Sequence, residues 1–79
     1  MIIIMNKAIF CHQLQVLRKK YYLSQKALAA LIGVSGYSLR GWELGTLEPQ
    51  LHPQTLHRLC QVLDTTPEYL SAANLPTDE

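Results

Sequence analysis

Few side chains in this 79-residue chain are spaced for covalent chemistry. No nucleophile–base pair, pair of carboxylates or glycine-rich phosphate loop stands out, so catalysis is not expected. His57 and Cys60 are three apart on a helical stretch. Two ligands fall short of the set that holds a zinc ion, so no metal or other cofactor is expected either. The charged residues carry more. Residues 1–42 hold six basic side chains (Lys7, Arg18, Lys19, Lys20, Lys26 and Arg40) and no acid, whereas residues 43–79 hold all six acids and one base, Arg58. The halves therefore stand at +6 and −5, and the net charge of +1 conceals a strong asymmetry. A basic surface of that kind suits a polyanion.

The elements that must position these residues are helical. Phe10, Leu14, Leu17 and Tyr21 recur at helical spacing, which predicts a first helix over about residues 7–22 with Asn6 as N-cap. Arg18, Lys19 and Lys20 close it, where cations favour the helix dipole. Ser24 caps a second helix whose inner face is Ala27, Leu28, Leu31 and Ile32, and Gly33 ends it in the left-handed conformation. Ser35 caps a third helix, Gly36 to Leu44, stopped by Gly45. The stretch "GTLEPQLHP" reads as a loop. Pro53 opens a fourth helix with His52 before it, its inner face formed by Leu56, Leu59, Val62 and Leu63. Thr66 caps a short fifth helix that starts at Pro67 and ends near Ala73. The polar "NLPTDE" reads as a flexible tail.

Length and composition predict one small domain, 48% apolar and 16% charged, which argues against disorder. No apolar run is long enough to cross a membrane, and "MIIIM" is too short for the core of a signal peptide. Cys11 and Cys60 lack a CxxC spacing and read as reduced thiols of a cytoplasmic protein. Boundaries are expected at 1–5 (an apolar extension), 6–73 (the domain) and 74–79 (the tail).

The second and third helices are joined by only a few residues around Gly33, the spacing of a helix-turn-helix. The segment "LSQKALAALIGVSGYSLRGWELGTLEP" resembles the core of the phage repressor and Cro-like (XRE-type) helix-turn-helix family. Ser24, Gln25, Leu28, Ala29, Gly33, Val34, Ser35, Leu39, Trp42, Glu43, Gly45 and Pro49 match its pattern in register, and the likeness extends over about residues 14–70. The resemblance implies an all-α, five-helix, lambda-repressor-like bundle with a central helix-turn-helix. It also implies double-stranded DNA as a partner.

Glu43 falls in a largely buried turn and needs a partner. The resemblance puts an arginine near the end of the first helix, here Arg18, in that role; two solvated charges are the alternative. With Leu39 pointing inward and a rotation of about 100° per residue, Tyr37, Gly41 and Leu44 face outward, bordered by Arg40 and Ser38. Gly36 sits at the N-terminal end of this ridge. The base-contacting set is therefore expected to be Gly36, Tyr37, Arg40, Gly41 and Leu44, the glycines allowing close backbone approach. Family members usually carry polar side chains at 36 and 37, so direct readout rests on Arg40 and Tyr37. Phosphate contacts are expected from Lys20, Gln25, Lys26, Ser35 and Ser38, with residues 50–54 as a second anchor by resemblance; solvation is the alternative for Lys19 and Lys20.

The reading is a sequence-specific transcriptional regulator, repressor-like and of bacterial or phage type, working as a homodimer on a two-fold site. The alternatives are a helix-turn-helix domain that binds protein through the Tyr37–Leu44 ridge, or the DNA-binding antitoxin of a toxin pair with a protein partner. Three consecutive isoleucines favour extended structure and would be hazardous in water. Residues 2–4 are therefore expected to be covered by the dimer mate as an antiparallel ribbon, with the fifth helix around Pro67 to Leu70 as a second contact. The alternative is a disordered tail preceding Met5.

Overall fold

A computed structural model describes residues 2–71 of the chain. The elements run β1 (Ile3–Ile4), α1 (Lys7–Lys20), α2 (Gln25–Ile32), α3 (Gly36–Leu44), β2 (Gln50–Leu51), α4 (Pro53–Leu63) and α5 (Pro67–Ser71). Each start signal in the sequence finds its donor. Asn6 Oδ1 accepts from the Ile9 amide at 3.1 Å, Ser24 Oγ from Ala27 at 3.0 Å, Ser35 Oγ from Ser38 at 3.0 Å and Thr66 Oγ1 from Tyr69 at 3.2 Å. These bonds satisfy amides that a helix leaves without an internal partner. Pro53 needs no such acceptor, and His52 makes no side-chain cap.

Helix α1 stops two residues short of the expected end. Tyr22 adopts a left-handed φ of 56°, and the Tyr22 and Leu23 amides turn back to the carbonyls of Lys19 and Arg18. Tyr21 consequently leaves the inner stripe and stands 37% exposed. In α2 the inner stripe is Leu28, Ala29 and Ile32, while Leu31, expected inside, is 52% exposed. Eight residues make little more than two turns, which bury a narrower face than the apolar composition suggested. Gly33 and Gly45, both at φ 77°, end α2 and α3 by returning their amides to Ala29 and Gly41.

The core is one cluster. Phe10, Leu14, Leu28, Leu39, Leu59, Leu63 and Leu70 are fully buried, and each leucine contributes about 1.5–3 kcal/mol. Phe10 meets Trp42 edge-on, with ring centroids 5.8 Å apart and planes at 76°. Thus α1 packs against α3 and α5, and α2 against α3 and α4. Ala29, 3% exposed, keeps the second helix close to the rest of the bundle.

Residues 2–5 behave differently from the expectation. β1 pairs antiparallel with β2 of the same chain, Ile3 opposite Leu51 and Ile4 opposite Gln50, and the Met5 amide donates to the Pro49 carbonyl at 3.0 Å. The ribbon assigned to a dimer mate is closed within one chain. The bundle therefore carries a two-stranded sheet where a loop was expected over 45–53. Strand alternation explains the burial: Ile3 and Met5 turn inward, with Met5 only 4% exposed, whereas Ile2 and Ile4 turn out at 44% and 68%. The expected end of the fifth helix near Ala73 and the tail 74–79 lie outside the described residues.

Candidate nucleic-acid interface

Helix α3 is held from behind by an apolar contact and a polar one. Leu39 and Trp42 enter the core. Beside them Glu43, 3% exposed, accepts from Arg18 Nε at 2.6 Å, from Arg18 Nη2 at 2.9 Å and from Gln25 Nε2 at 3.1 Å. Arg18 also donates through Nη1 to the Leu23 carbonyl at 2.8 Å, so one guanidinium joins the end of α1, the loop before α2 and the end of α3. Two oxygens facing a guanidinium fork satisfy a buried carboxylate geometrically and electrostatically. The Glu43 carbonyl is tied separately to α1, accepting from Gln15 Nε2 at 2.6 Å and Cys11 Sγ at 2.8 Å.

With its inner side fixed, α3 turns Tyr37 (76% exposed), Arg40 and Leu44 (61% exposed) to solvent. An added Cβ on Gly36 would meet nothing within 4 Å, so the ridge is clear at its N-terminal end. Gly41 departs from the expectation. It is buried, because Leu47 from the following loop occupies the space where its side chain would be. The residue is glycine to admit Leu47, and its exposed neighbours form the ridge. Tyr37, Arg40, Gly41, Leu44 and Thr46 together line a depression of about 150 Å³.

The residues expected at phosphates are dispersed. Ser35 and Ser38 lie together, Ser35 Oγ donating to Ser38 Oγ at 3.0 Å while accepting from the Ser38 amide. Gln25 is half-buried with its amide turned to Glu43, so its carboxamide serves the ion pair. Lys26 is exposed at the start of α2. Lys20 lies 5.5 Å over the Tyr21 ring and lines a depression shared with Asp64, Thr65, Thr66 and Tyr69. The ridge of α3 contributes nothing to that depression.

Sequence reasoning missed Thr46, Leu47 and Arg58. Arg58, assigned to the acidic half, reaches back across the bundle until Nη1 lies 3.3 Å from where a Gly33 side chain would begin. Its local sequence offers no sign of this, since the contact is made by the packing of α4 on α2. Burial and the nearby Glu68 carboxylate push the Cys60 thiol above its ordinary range. Among the described residues no group of three His, Cys, Asp or Glu side chains could hold a metal ion, and no helix is long and apolar enough to cross a membrane.

Comparison with known proteins converges on the same element. The helix-turn-helix family profile matches residues 14–70. Repressor protein C2 of Salmonella phage P22 is 31% identical over 71 residues, covering 90% of this chain and 32% of the repressor. The crystal structure of the P22 c2 repressor with a synthetic operator superimposes with a TM-score of 0.70 at 30% identity, covering 80% of this chain and 92% of that one. The restriction-modification controller protein C.AhdI of Aeromonas hydrophila does so at 0.66 and 31% identity, covering 78% and 91%. Hydroxypropylphosphonic acid epoxidase from S. wedmorenis also contains the fold, with a TM-score of 0.72 at 26% identity over 87% of this chain but 36% of the enzyme. The chain thus spans about a third of the length of the curated repressor and of the epoxidase. Matched over most of its length by the family profile, the chain belongs to the phage repressor-like helix-turn-helix family.

Proposed function

We propose that this chain is a sequence-specific DNA-binding transcriptional regulator, without enzymatic activity, that lays α3 in the major groove. The observation that carries the reading is the division of α3 into two sides. Leu39, Trp42 and the Arg18–Glu43 pair immobilise one, and the other presents Tyr37, Arg40 and Leu44 with open space at Gly36. Arg40 supplies a fork that suits guanine O6 and N7. Lys26, the Ser35–Ser38 pair and the first amides of α2 supply phosphate contacts that set register. Bases crowded into residues 1–42 supply the field that draws the protein to a polyanion.

A domain of this size gains affinity by acting as a homodimer on a two-fold site in the cytoplasm. Relatives point the same way: one is a repressor solved on an operator, another a restriction-modification controller. A second reading, a protein-binding domain, is favoured only by the apolar Tyr37 and Leu44 on the ridge.

Titration of the full chain against duplex DNA at increasing salt tests the proposal. Binding weakens with a log–log slope of about −0.9 per phosphate neutralised. Absence of any DNA complex at low salt overturns it.

A further inference from the structure

Helices α1 to α4 each end at a residue with positive φ, and at three of them the residue type suits the conformation. Gly33 and Gly45, at φ 77°, have no Cβ to clash, and Asp64, at φ 49°, is of a type that tolerates the left-handed region. Tyr22, at φ 56° after α1, has neither advantage, and a bulky side chain there is strained. The turn enforces the conformation. The Tyr22 and Leu23 amides return to the carbonyls of Lys19 (3.0 Å) and Arg18 (3.1 Å), and Arg18 Nη1 donates to the Leu23 carbonyl at 2.8 Å. That pair of amide bonds ends a helix most readily with glycine at the position Tyr22 holds. Nothing in the packing offsets the strain. The side chain is 95% exposed, and its hydroxyl has no partner among the described residues. A strained residue that its own fold does not use points to a role outside it.

The surroundings indicate what the phenol meets. Lys19 and Lys20 precede it and Lys26 follows, all exposed, and residues 1–42 hold no acid. Tyr22 lies two residues before Ser24, the cap of the helix whose first amides and Lys26 are proposed to face a phosphate. We infer that Tyr22 is a DNA-contacting residue whose hydroxyl donates to the phosphodiester backbone beside that phosphate, the strained turn aiming it there. This inference rests on the DNA-binding reading and adds to it a contact made outside α3.

Tyr22→Gly removes the side chain and relieves the backbone, whereas Tyr22→Phe keeps ring and strain and removes only the hydroxyl. Each full-length variant is titrated against random duplex and against the duplex that the natural chain selects from a random pool. Both variants weaken binding about tenfold on both duplexes, the loss of one hydrogen bond to a charged group. The salt slope does not change, because no cation is removed. Without DNA, the melting midpoint of Tyr22→Gly is unchanged or higher. Methylphosphonates placed singly along the selected duplex locate the contact, since at one phosphate in each half-site their effect shrinks in Tyr22→Phe. Tyr22→Gly that binds as tightly as the natural chain overturns the inference and leaves the regulator reading intact. A loss that Tyr22→Phe does not share also overturns it, by assigning the effect to the ring. A lowered midpoint in Tyr22→Gly overturns it by giving the side chain a structural role. Failure of the natural chain to bind any duplex overturns both readings together.

Discussion

Gly41 and Leu47 occupy one volume between them. An ideal Cβ on Gly41 would lie 2.5 Å from Leu47 Cγ, closer than real Cβ atoms sit, and a tight 3.1 Å from Leu47 Cβ. Glycine inside a helix costs about 1 kcal/mol against alanine, and here the missing side chain lets the loop after α3 close against the helix.

Gly41→Ala is therefore expected to destabilise the protein although it raises helix propensity. Overpacking costs about 1–3 kcal/mol, which outweighs the gain. In a Leu47→Ala background the same substitution becomes neutral or stabilising. Chemical denaturation of both singles and the double measures the coupling. A stabilised Gly41→Ala in the otherwise natural chain would show that Leu47 yields without cost.

The Arg18–Glu43 pair is buried at the carboxylate and largely so at the guanidinium, with side chains 3% and 14% exposed. Glu43→Ala leaves the guanidinium without its main partner, and about 3–5 kcal/mol of stability is expected to go. Arg18→Ala, which strands the more deeply buried carboxylate, should cost at least as much. Thermal melting decides; a midpoint unchanged within error in either variant contradicts a buried pair.

Arg40 and Lys26 are proposed for different tasks and should fail differently. Arg40→Ala is expected to lose about 1–3 kcal/mol on the selected site and little on random duplex. Lys26→Ala should weaken both alike and lower the salt slope by about one. Equal losses from both variants on both DNAs would remove Arg40 from base readout.

Deleting residues 1–4 strips β1 from β2 and uncovers Leu51, which is 1% exposed in the intact chain. A loss of about 1–3 kcal/mol follows from the exposed apolar surface and broken ladder. In a domain of this length that lowers the melting midpoint by roughly 4–8 °C per kcal/mol. Because the ribbon closes within the chain, the mass in solution should not change. A dimer lost on truncation would mean the strand also serves a second copy.

Much of the site could be read along the chain because the signals are local. Ser24, Ser35 and Thr66 each accept from an amide three residues on, so their hydroxyls announce a helix start without reference to the rest of the protein. Leu39 and Trp42 declare the inner face of α3 by spacing, and Tyr37, Arg40 and Leu44 then fall outside by rotation alone. The need of Glu43 for a cation follows from the cost of burying a carboxylate.

What the chain could not disclose is set by partners far away in sequence. Gly41 belongs by rotation to the outer ridge, and only the course of the loop through Leu47 buries it. Gln25, expected at a phosphate, is half-buried and also donates to the Glu43 carboxylate, 3.1 Å away across the helix-turn-helix. The isoleucines of β1 demanded cover by their composition, but composition does not say which edge supplies it. Residues 50–51, some 47 positions on, do so through hydrogen bonds that any backbone could offer. Local caps and periodicity determined the helices and the exposed face of α3. Tertiary packing decided which of those residues remained available, because a side chain's freedom depends on neighbours that spacing along the chain does not encode.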